Sequence, residues 1–339
     1  MSLTERVDAY QRRHHWAGFP LAVVYKFFDD QGGYLAALIT YYGFLSIVPL
    51  LLLATTILGF LLQGDAEMEQ RILDSALSQF PVIGDQLSGA GGLSGSTTAL
   101  VIGIIGALYG ALGVVQAAQN AMNVAWSVPR NRRPDPLRSR LRSALLLITA
   151  GLALVATTVL STLSTSAASV GGALGVGLEL IVTVVGIALN GLVFAFAFRI
   201  LTAAPISLGD VLPGAVAAAL IWQLMQTVGV AYVNTVVSQA GATNGVFALV
   251  LGLMLWIYVG AIALVLCVQV NVVRTKRLWP RSLLTPFTDD VDLTRADQQA
   301  YTDYATAQQS KGFQTVDVDF EHDGQNATAR RTRNRHDAG

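Results

Sequence analysis

Charged residues divide this chain into long apolar runs separated by short polar segments. A transmembrane helix needs about 20 apolar residues to cross the hydrocarbon layer of a bilayer. Four of the charge-free runs have room for one such helix each, and the last run, 63 residues long, has room for two. The runs without Asp, Glu, Lys or Arg cover residues 31–64, 86–129, 143–178, 180–198 and 211–273.

This pattern predicts an all-α polytopic membrane protein built as a bundle of six transmembrane helices. Pro49 lies near the middle of the first span, and because it cannot donate to the carbonyl of Leu45 we expect a kink there. The predicted membrane domain covers residues 33–273. Its spans cover about residues 33–62, 98–126, 143–164, 179–199, 213–237 and 246–273.

Basic residues are distributed unevenly between the two sides of the predicted bundle. The N-terminal segment, the loops after spans two and four, and the C-terminal flank together hold fifteen Lys and Arg residues. The three alternate loops hold Arg71 alone. Since Lys and Arg near span ends favour the cytoplasmic side, we expect the N- and C-termini to be cytoplasmic.

Overall composition agrees with a membrane protein. Hydrophobic residues make up 53% of the chain and charged residues 13%, which is about half the charged share of a soluble domain. The formal net charge is zero, so no global field favours nucleic acid, and no specific nucleic-acid partner is expected. Membrane lipids are the expected partners, with a lipid or small molecule as substrate.

Polar segments flank the predicted membrane domain on both sides. In residues 1–32, Phe19, Val23 and Phe27 recur at helical spacing, which is typical of an amphipathic segment lying on the cytoplasmic membrane surface. Residues 274–339 are expected to form a cytoplasmic, largely disordered tail, because the sequence beyond Thr285 is polar.

Polar side chains within the spans are the candidate functional residues, because polar groups are costly in hydrocarbon. Four amides recur on one face of span two, beside a small-residue stripe that includes Gly106, Gly110 and Gly113. The amides either hydrogen-bond neighbouring helices or line a substrate pathway, and the stripe packs either within one subunit or in a homo-oligomer. The ten candidates are Gln116, Gln119, Asn120, Asn123, Asn190, Gln223, Gln226, Asn234, Gln269 and Asn271.

Residue patterns typical of enzymes are missing from the predicted spans. His14, His15, His322 and His336 all lie in the flanking segments, and no Cys/His or Asp/His cluster has metal-ligand spacing. The Gly/Ser stretch at residues 89–96 is not followed by Gly-Lys-Ser/Thr, so it does not form a P-loop. We therefore expect no enzymatic activity, no cofactor and no bound metal.

Three groups of residues form recognisable motifs: residues 36–42 with Ser46 and Pro49, the group Asn120, Asn123 and Trp126, and residues 212–245 with 255–258 and Asn271. These motifs, spread over about residues 20–277, resemble those of the YihY/BrkB family of bacterial inner-membrane proteins. This resemblance implies a multi-pass protein of the bacterial inner membrane, with roles in envelope integrity or in export of lipids or other solutes. The family was formerly labelled ribonuclease BN, an activity that would need metal-binding residues.

One position departs from the family pattern. Members often carry a Gly-Ala-Glu-Leu-Asn-like run near the end of span six, where this chain has Gln269 in place of the acidic residue. A proton- or cation-coupled role of that carboxylate is therefore not expected. We expect a transporter, exporter or flippase of an envelope-related molecule. A non-transporting scaffold for envelope integrity is the alternative, and a ribonuclease is the least favoured interpretation.

Overall fold

A computed structural model describes residues 3–62, 97–135, 137–149, 151–152, 173–232, 242–283, 285 and 291–320. Within these residues the chain is helical, with connecting turns and no strands, so the predicted all-α class is confirmed for the described part. The predicted outer loop at 63–96, most of the third span and residues 321–339 lie outside this description.

In the described residues, helix ends differ from the predicted span ends by up to six residues, as at Ala173, where a helix begins and the span was predicted from residue 179. The helix Thr97–Ala125 differs from the predicted span 98–126 by one residue at each end. The helices are α1 Leu3–Arg13, α2 His15–Asp29, α3 Gly32–Leu62, α4 Thr97–Ala125, α5 at residues 137–149, α6 Ala173–Leu201, α7 Leu208–Tyr232, α8 Ala242–Lys276 and α9 Arg295–Ala307, with a 3-10 turn at Arg130–Arg132.

Three described helices are long and apolar enough to cross a membrane: Ile181–Leu201 in α6, Leu208–Gly229 in α7 and Val250–Lys276 in α8. Their outer faces carry large apolar side chains, and Leu192 and Leu251 are 65% and 64% exposed. A water-soluble protein rarely leaves a large apolar patch uncovered, so these faces are suited to contact with lipid.

Helices α3 and α4 pack closely along the glycine stripe predicted from the sequence. A Cβ atom added at Gly106 would lie 2.8 Å from Pro49 Cγ, and one added at Gly110 would lie 2.6 Å from Ser46 Cα. Small residues permit this approach of two helix backbones. The stripe therefore packs within the subunit, and Pro49 lies inside one continuous helix that ends at Leu62.

Helix α8 is the central element of the described bundle, because it contacts α2, α3, α4 and α7. Val265, Val268 and Val272 on this helix are each at most 2% exposed. It packs tightly against α7, where a Cβ atom at Gly214 would lie 2.7 Å from Asn271 Cγ. Apolar packing around α8 thus fixes the positions of the flanking helices.

The N-terminal apolar face contacts protein rather than being free to lie on a membrane. Val23 and Phe27 of α2 belong to the buried cores, and Phe19 packs edge-on against Trp279 with 5.3 Å between the ring centroids. The helical periodicity was sufficient to identify this face. It could not show that α8 and the segment after it cover the face.

The expectation of a disordered tail is wrong for residues 291–320, which include α9. Thr294 and Asp297 form a capping box at the start of α9. Asp297 also forms an ion pair with Arg281, and the Arg281 guanidinium pairs with Asp29 at 3.0 Å. Because these charges neutralise one another, the polar segment that includes α9 is held in an ordered position. Composition alone did not predict this order.

Candidate functional site: an apolar cavity above a polar helix end

Most of the polar contacts between helices lie at one end of the bundle, which we call the basic end. It is formed by residues 26–35, 119–143, 199–214 and 269–283. There α4 ends at Ala125 and is followed by Ser127 in a left-handed conformation (φ 53°). The amide of Val128 then bonds to the carbonyl of Asn123, so the helix ends in a Schellman turn.

Three of the four amides on α4 bond to neighbouring segments at the basic end. Gln119 Nε2 donates to Ser139 O at 3.0 Å and to Ser143 Oγ at 3.1 Å, and it thereby joins α4 to α5. Asn123 Oδ1 accepts from the amide of Ala203 at 2.8 Å, and Asn120 Oδ1 accepts from Arg133 at 3.1 Å. These contacts favour the helix-packing interpretation for the three residues.

The two amides of α8 are fully buried at the same end. Asn271 Oδ1 accepts from the amide of Gly214 at 2.6 Å, which joins α8 to the first turns of α7. Gln269 Nε2 donates to Asp30 Oδ2 at 2.8 Å. Asp30 in turn lies 2.5 Å from Lys26 Nζ. A buried carboxylate from the α2–α3 junction is thus hydrogen-bonded to Gln269 of α8.

The other predicted amides do not lie with these residues at the basic end. Gln116 is exposed, whereas Asn190, Gln223 and Gln226 are half-buried on α6 and α7. Asn234 lies outside the described residues. The structure therefore brings together five of the ten predicted amides at the basic end, where they join helices.

An apolar cavity of about 410 Å³ lies between α3, α4, α6, α7 and α8. Trp222 and Met225 of α7 line it together with Trp256 and Leu264 of α8, and its described lining includes none of the ten predicted amides. Ser46 is the hydroxyl in the lining, and its Oγ donates to the carbonyl of Gly43 at 2.8 Å. The cavity is therefore suited to hydrocarbon rather than to a hydrated ion.

Along α7 and α8 the cavity lies well away from the basic end of the bundle. Its lining residues on α7 begin at Ala218, ten residues after the first residue of that helix. On α8 they end at Leu264, twelve residues before Lys276. At a rise of 1.5 Å per residue these offsets correspond to roughly 15–18 Å, about half of the hydrocarbon thickness.

Sequence reasoning missed this cavity. Trp222 and Trp256 lie within the motif segments 212–245 and 255–258, which did not indicate a cavity. Both residues lie well inside their helices rather than at the ends, where interfacial aromatics concentrate. The location of these two tryptophans far from the helix ends was the sequence signal that could have indicated the cavity. In the described part of the chain, no group of three His, Cys, Asp or Glu side chains could hold a metal.

The apolar helices with uncovered outer faces define an α-helical membrane protein. A family model described as "Virulence factor BrkB" matches residues 23–286, and the chain belongs to that family. No curated protein and no solved structure matches the chain.

Proposed function

We propose that this protein is a six-span protein of the bacterial inner membrane, with cytoplasmic termini, that transports, exports or flips an envelope-related lipid. The observation that carries this proposal is the apolar cavity of about 410 Å³ at mid-depth. Ligand cavities of proteins have volumes of roughly 300–1,000 Å³ and mostly apolar linings. A scaffold without transport activity has no need for such a space.

The lining chemistry narrows the class of substrate. Side chains such as Ile39, Ile221 and Leu264 offer dispersion contacts but few hydrogen bonds. The part of the substrate that enters the cavity is therefore an acyl or isoprenoid chain. Its polar part stays outside the lining, because an unpaired polar group in such surroundings costs several kcal/mol.

Lipid movement in reconstituted vesicles tests the proposal. Full-length protein is placed in vesicles that carry a fluorescent phospholipid, and dithionite quenching measures transfer between the leaflets. Ala263→Trp adds an indole to the cavity lining, so we expect transfer to fall about tenfold. The matched control is Val259→Trp on the same helix, because Val259 is 46% exposed and lies outside the lining.

The outcomes separate the two classes of function. Lipid transfer by the native protein that is lost in Ala263→Trp and kept in Val259→Trp supports transport through the cavity. Transfer no faster than in protein-free vesicles overturns the proposal and favours the scaffold for envelope integrity. Equal loss in both variants would also contradict it, because the effect would then not depend on the cavity.

A further inference from the structure

A second concavity, of about 300 Å³, lies at the basic end and is polar. It is formed by the segment between α4 and α5, the first turns of α5 and the residue Ala203 after α6. Four arginines line it against one carboxylate, so the pocket carries a clear excess of positive charge. The charged lining residues are Arg132, Arg133, Asp135, Arg138 and Arg142.

Arg133 is held in place by the protein itself. Its Nε donates to Val128 O at 3.3 Å, and its Nη1 donates to Asn120 Oδ1 at 3.1 Å. Burial, followed by the charge of Arg130, lowers the pKa of the Arg133 guanidinium. An anion in the pocket would relieve both effects, because it would place opposite charge beside a partly desolvated cation.

The Arg142 guanidinium has one buried nitrogen without an acceptor in the part of the chain that the structure describes. Its Nη1 atom is buried and has no hydrogen-bond partner among the described residues. Leaving a buried charged donor unpaired costs more than a hydrogen bond contributes. Native structures have few such groups, and each of them calls for an explanation. A ligand oxygen in the pocket would satisfy this guanidinium.

We propose that this arginine pocket binds a phosphate group, either of a lipid headgroup or of a free phosphate compound. Guanidinium groups match phosphate oxygens with paired N–H donors. The first turn of α5, which begins at residue 137, adds the positive end of a helix dipole. A carboxylate ligand would have fewer oxygens for the same four arginines, and a cation would be repelled.

The pocket lies beyond the ends of α4 and α6, two of the helices that line the cavity. On α4, Asn120, which holds Arg133, is six residues from Val114 in the cavity lining. Six residues correspond to about 9 Å along a helix. One phospholipid can therefore place its phosphate in the pocket and an acyl chain towards the cavity. This joint arrangement rests on the proposed function, whereas phosphate binding by itself does not.

Calorimetric titration of delipidated full-length protein in detergent tests the binding site. The probes are inorganic phosphate and dihexanoyl phosphatidic acid, a short lipid with the same phosphate group. We expect Arg138→Gln and Arg142→Gln each to weaken binding about tenfold, as loss of one charge-assisted contact would. The control is Arg140→Gln, which removes an exposed arginine from the same helix outside the pocket lining.

Arg138 is exposed, so its substitution tests the site even if Arg142→Gln proves unable to fold. Tighter binding of the short lipid than of inorganic phosphate assigns the site to a headgroup, and equal binding assigns it to a free phosphate compound. Absence of binding, or equal weakening by Arg138→Gln and Arg140→Gln, overturns the proposal. Since no lipid transfer is measured, failure here is distinct from failure of the transport assay.

Discussion

At the scale of single residues, Lys26 and Asp30 form a buried ion pair at the α2–α3 junction. Their side chains are 3% and 1% exposed, and Lys26 Nζ lies 2.5 Å from the Asp30 carboxylate. Burial raises the pKa of Asp30, while the charge of Lys26 opposes that rise. Gln269 adds a hydrogen bond from α8. The pair therefore anchors the α2–α3 junction to the central helix only while both charges are present.

Removing one member of this pair should cost more than removing both. We predict that Lys26→Met lowers the free energy of unfolding by about 3–5 kcal/mol, because it leaves Asp30 buried and unpaired. Adding Asp30→Asn should recover a large part of that loss, because the uncompensated charge is then gone. Denaturant unfolding in detergent, followed by tryptophan fluorescence, measures the difference.

An exposed cation provides the control for this comparison. Arg295, at the start of α9, is exposed, so Arg295→Met should change the free energy of unfolding by less than about 0.5 kcal/mol. If the double variant were no more stable than Lys26→Met alone, the paired charges would not explain the loss.

At the scale of elements, the close packing of α3 against α4 depends on glycine, which has no side chain, at the contact positions of α4. A Cβ atom at Gly110 would lie 2.6 Å from the Cα atom of Ser46. Backbone atoms of a helix cannot move aside as a flexible side chain can. The two helices must therefore separate if any residue larger than glycine stands at position 110.

Gly110→Ala should consequently lower the free energy of unfolding by about 1–3 kcal/mol, the range typical of an overpacked core. Gly186→Ala is the matched control, because a Cβ there meets no atom within 4 Å. Alanine favours a helix over glycine, so the control should be neutral or slightly stabilising. Thermal unfolding of both variants in one detergent makes the comparison, and equal midpoints would contradict the packing argument.

Sequence patterns predicted the helices better than they predicted which helices pack against each other. The glycine stripe of α4 was visible as periodic positions, and Ser46 and Pro49 of α3 were part of a motif. Their mutual packing was not visible, because periodicity shows which face is small or apolar but not what covers it. The contact between Asp30 and Gln269 spans 239 residues, and no local pattern encodes such a pairing.

Sequence patterns are limited in the same way for the cavity and the arginine pocket. Charge-free runs identify spans because one bilayer imposes one length on all of them. A cavity, by contrast, is space that several helices leave unfilled, and its lining residues, such as Trp222 and Leu264, are individually unremarkable apolar residues. From the sequence, the arginines after α4 indicated only which side of the bundle is cytoplasmic. Their folded arrangement also forms the arginine pocket.

At the scale of the whole molecule, the described bundle has two chemically different levels. The cavity of about 410 Å³ is apolar, whereas the arginine pocket of about 300 Å³ is charged. An amphipathic molecule has the same division between its tail and its head. The order of these levels across the membrane depends on which side the basic end occupies.

Single-cysteine labelling determines that side. In a Cys267→Ser background, which removes the one native cysteine, Asn131→Cys reports on the α4–α5 segment and Lys311→Cys on the segment after α9. Both native positions are exposed. Ser88→Cys in the predicted outer loop is the control for the opposite side.

We predict that an impermeant thiol reagent labels Asn131→Cys and Lys311→Cys only in inverted membrane vesicles, and Ser88→Cys only in intact cells made permeable at the outer membrane. The physical reason is that basic residues near span ends resist translocation. Labelling of Asn131→Cys and Lys311→Cys from opposite sides would require an odd number of crossings between them and would contradict the six-span arrangement. Labelling of both from outside would keep the bundle but place the arginine pocket in the outer leaflet, where it would receive rather than supply a lipid moving outward.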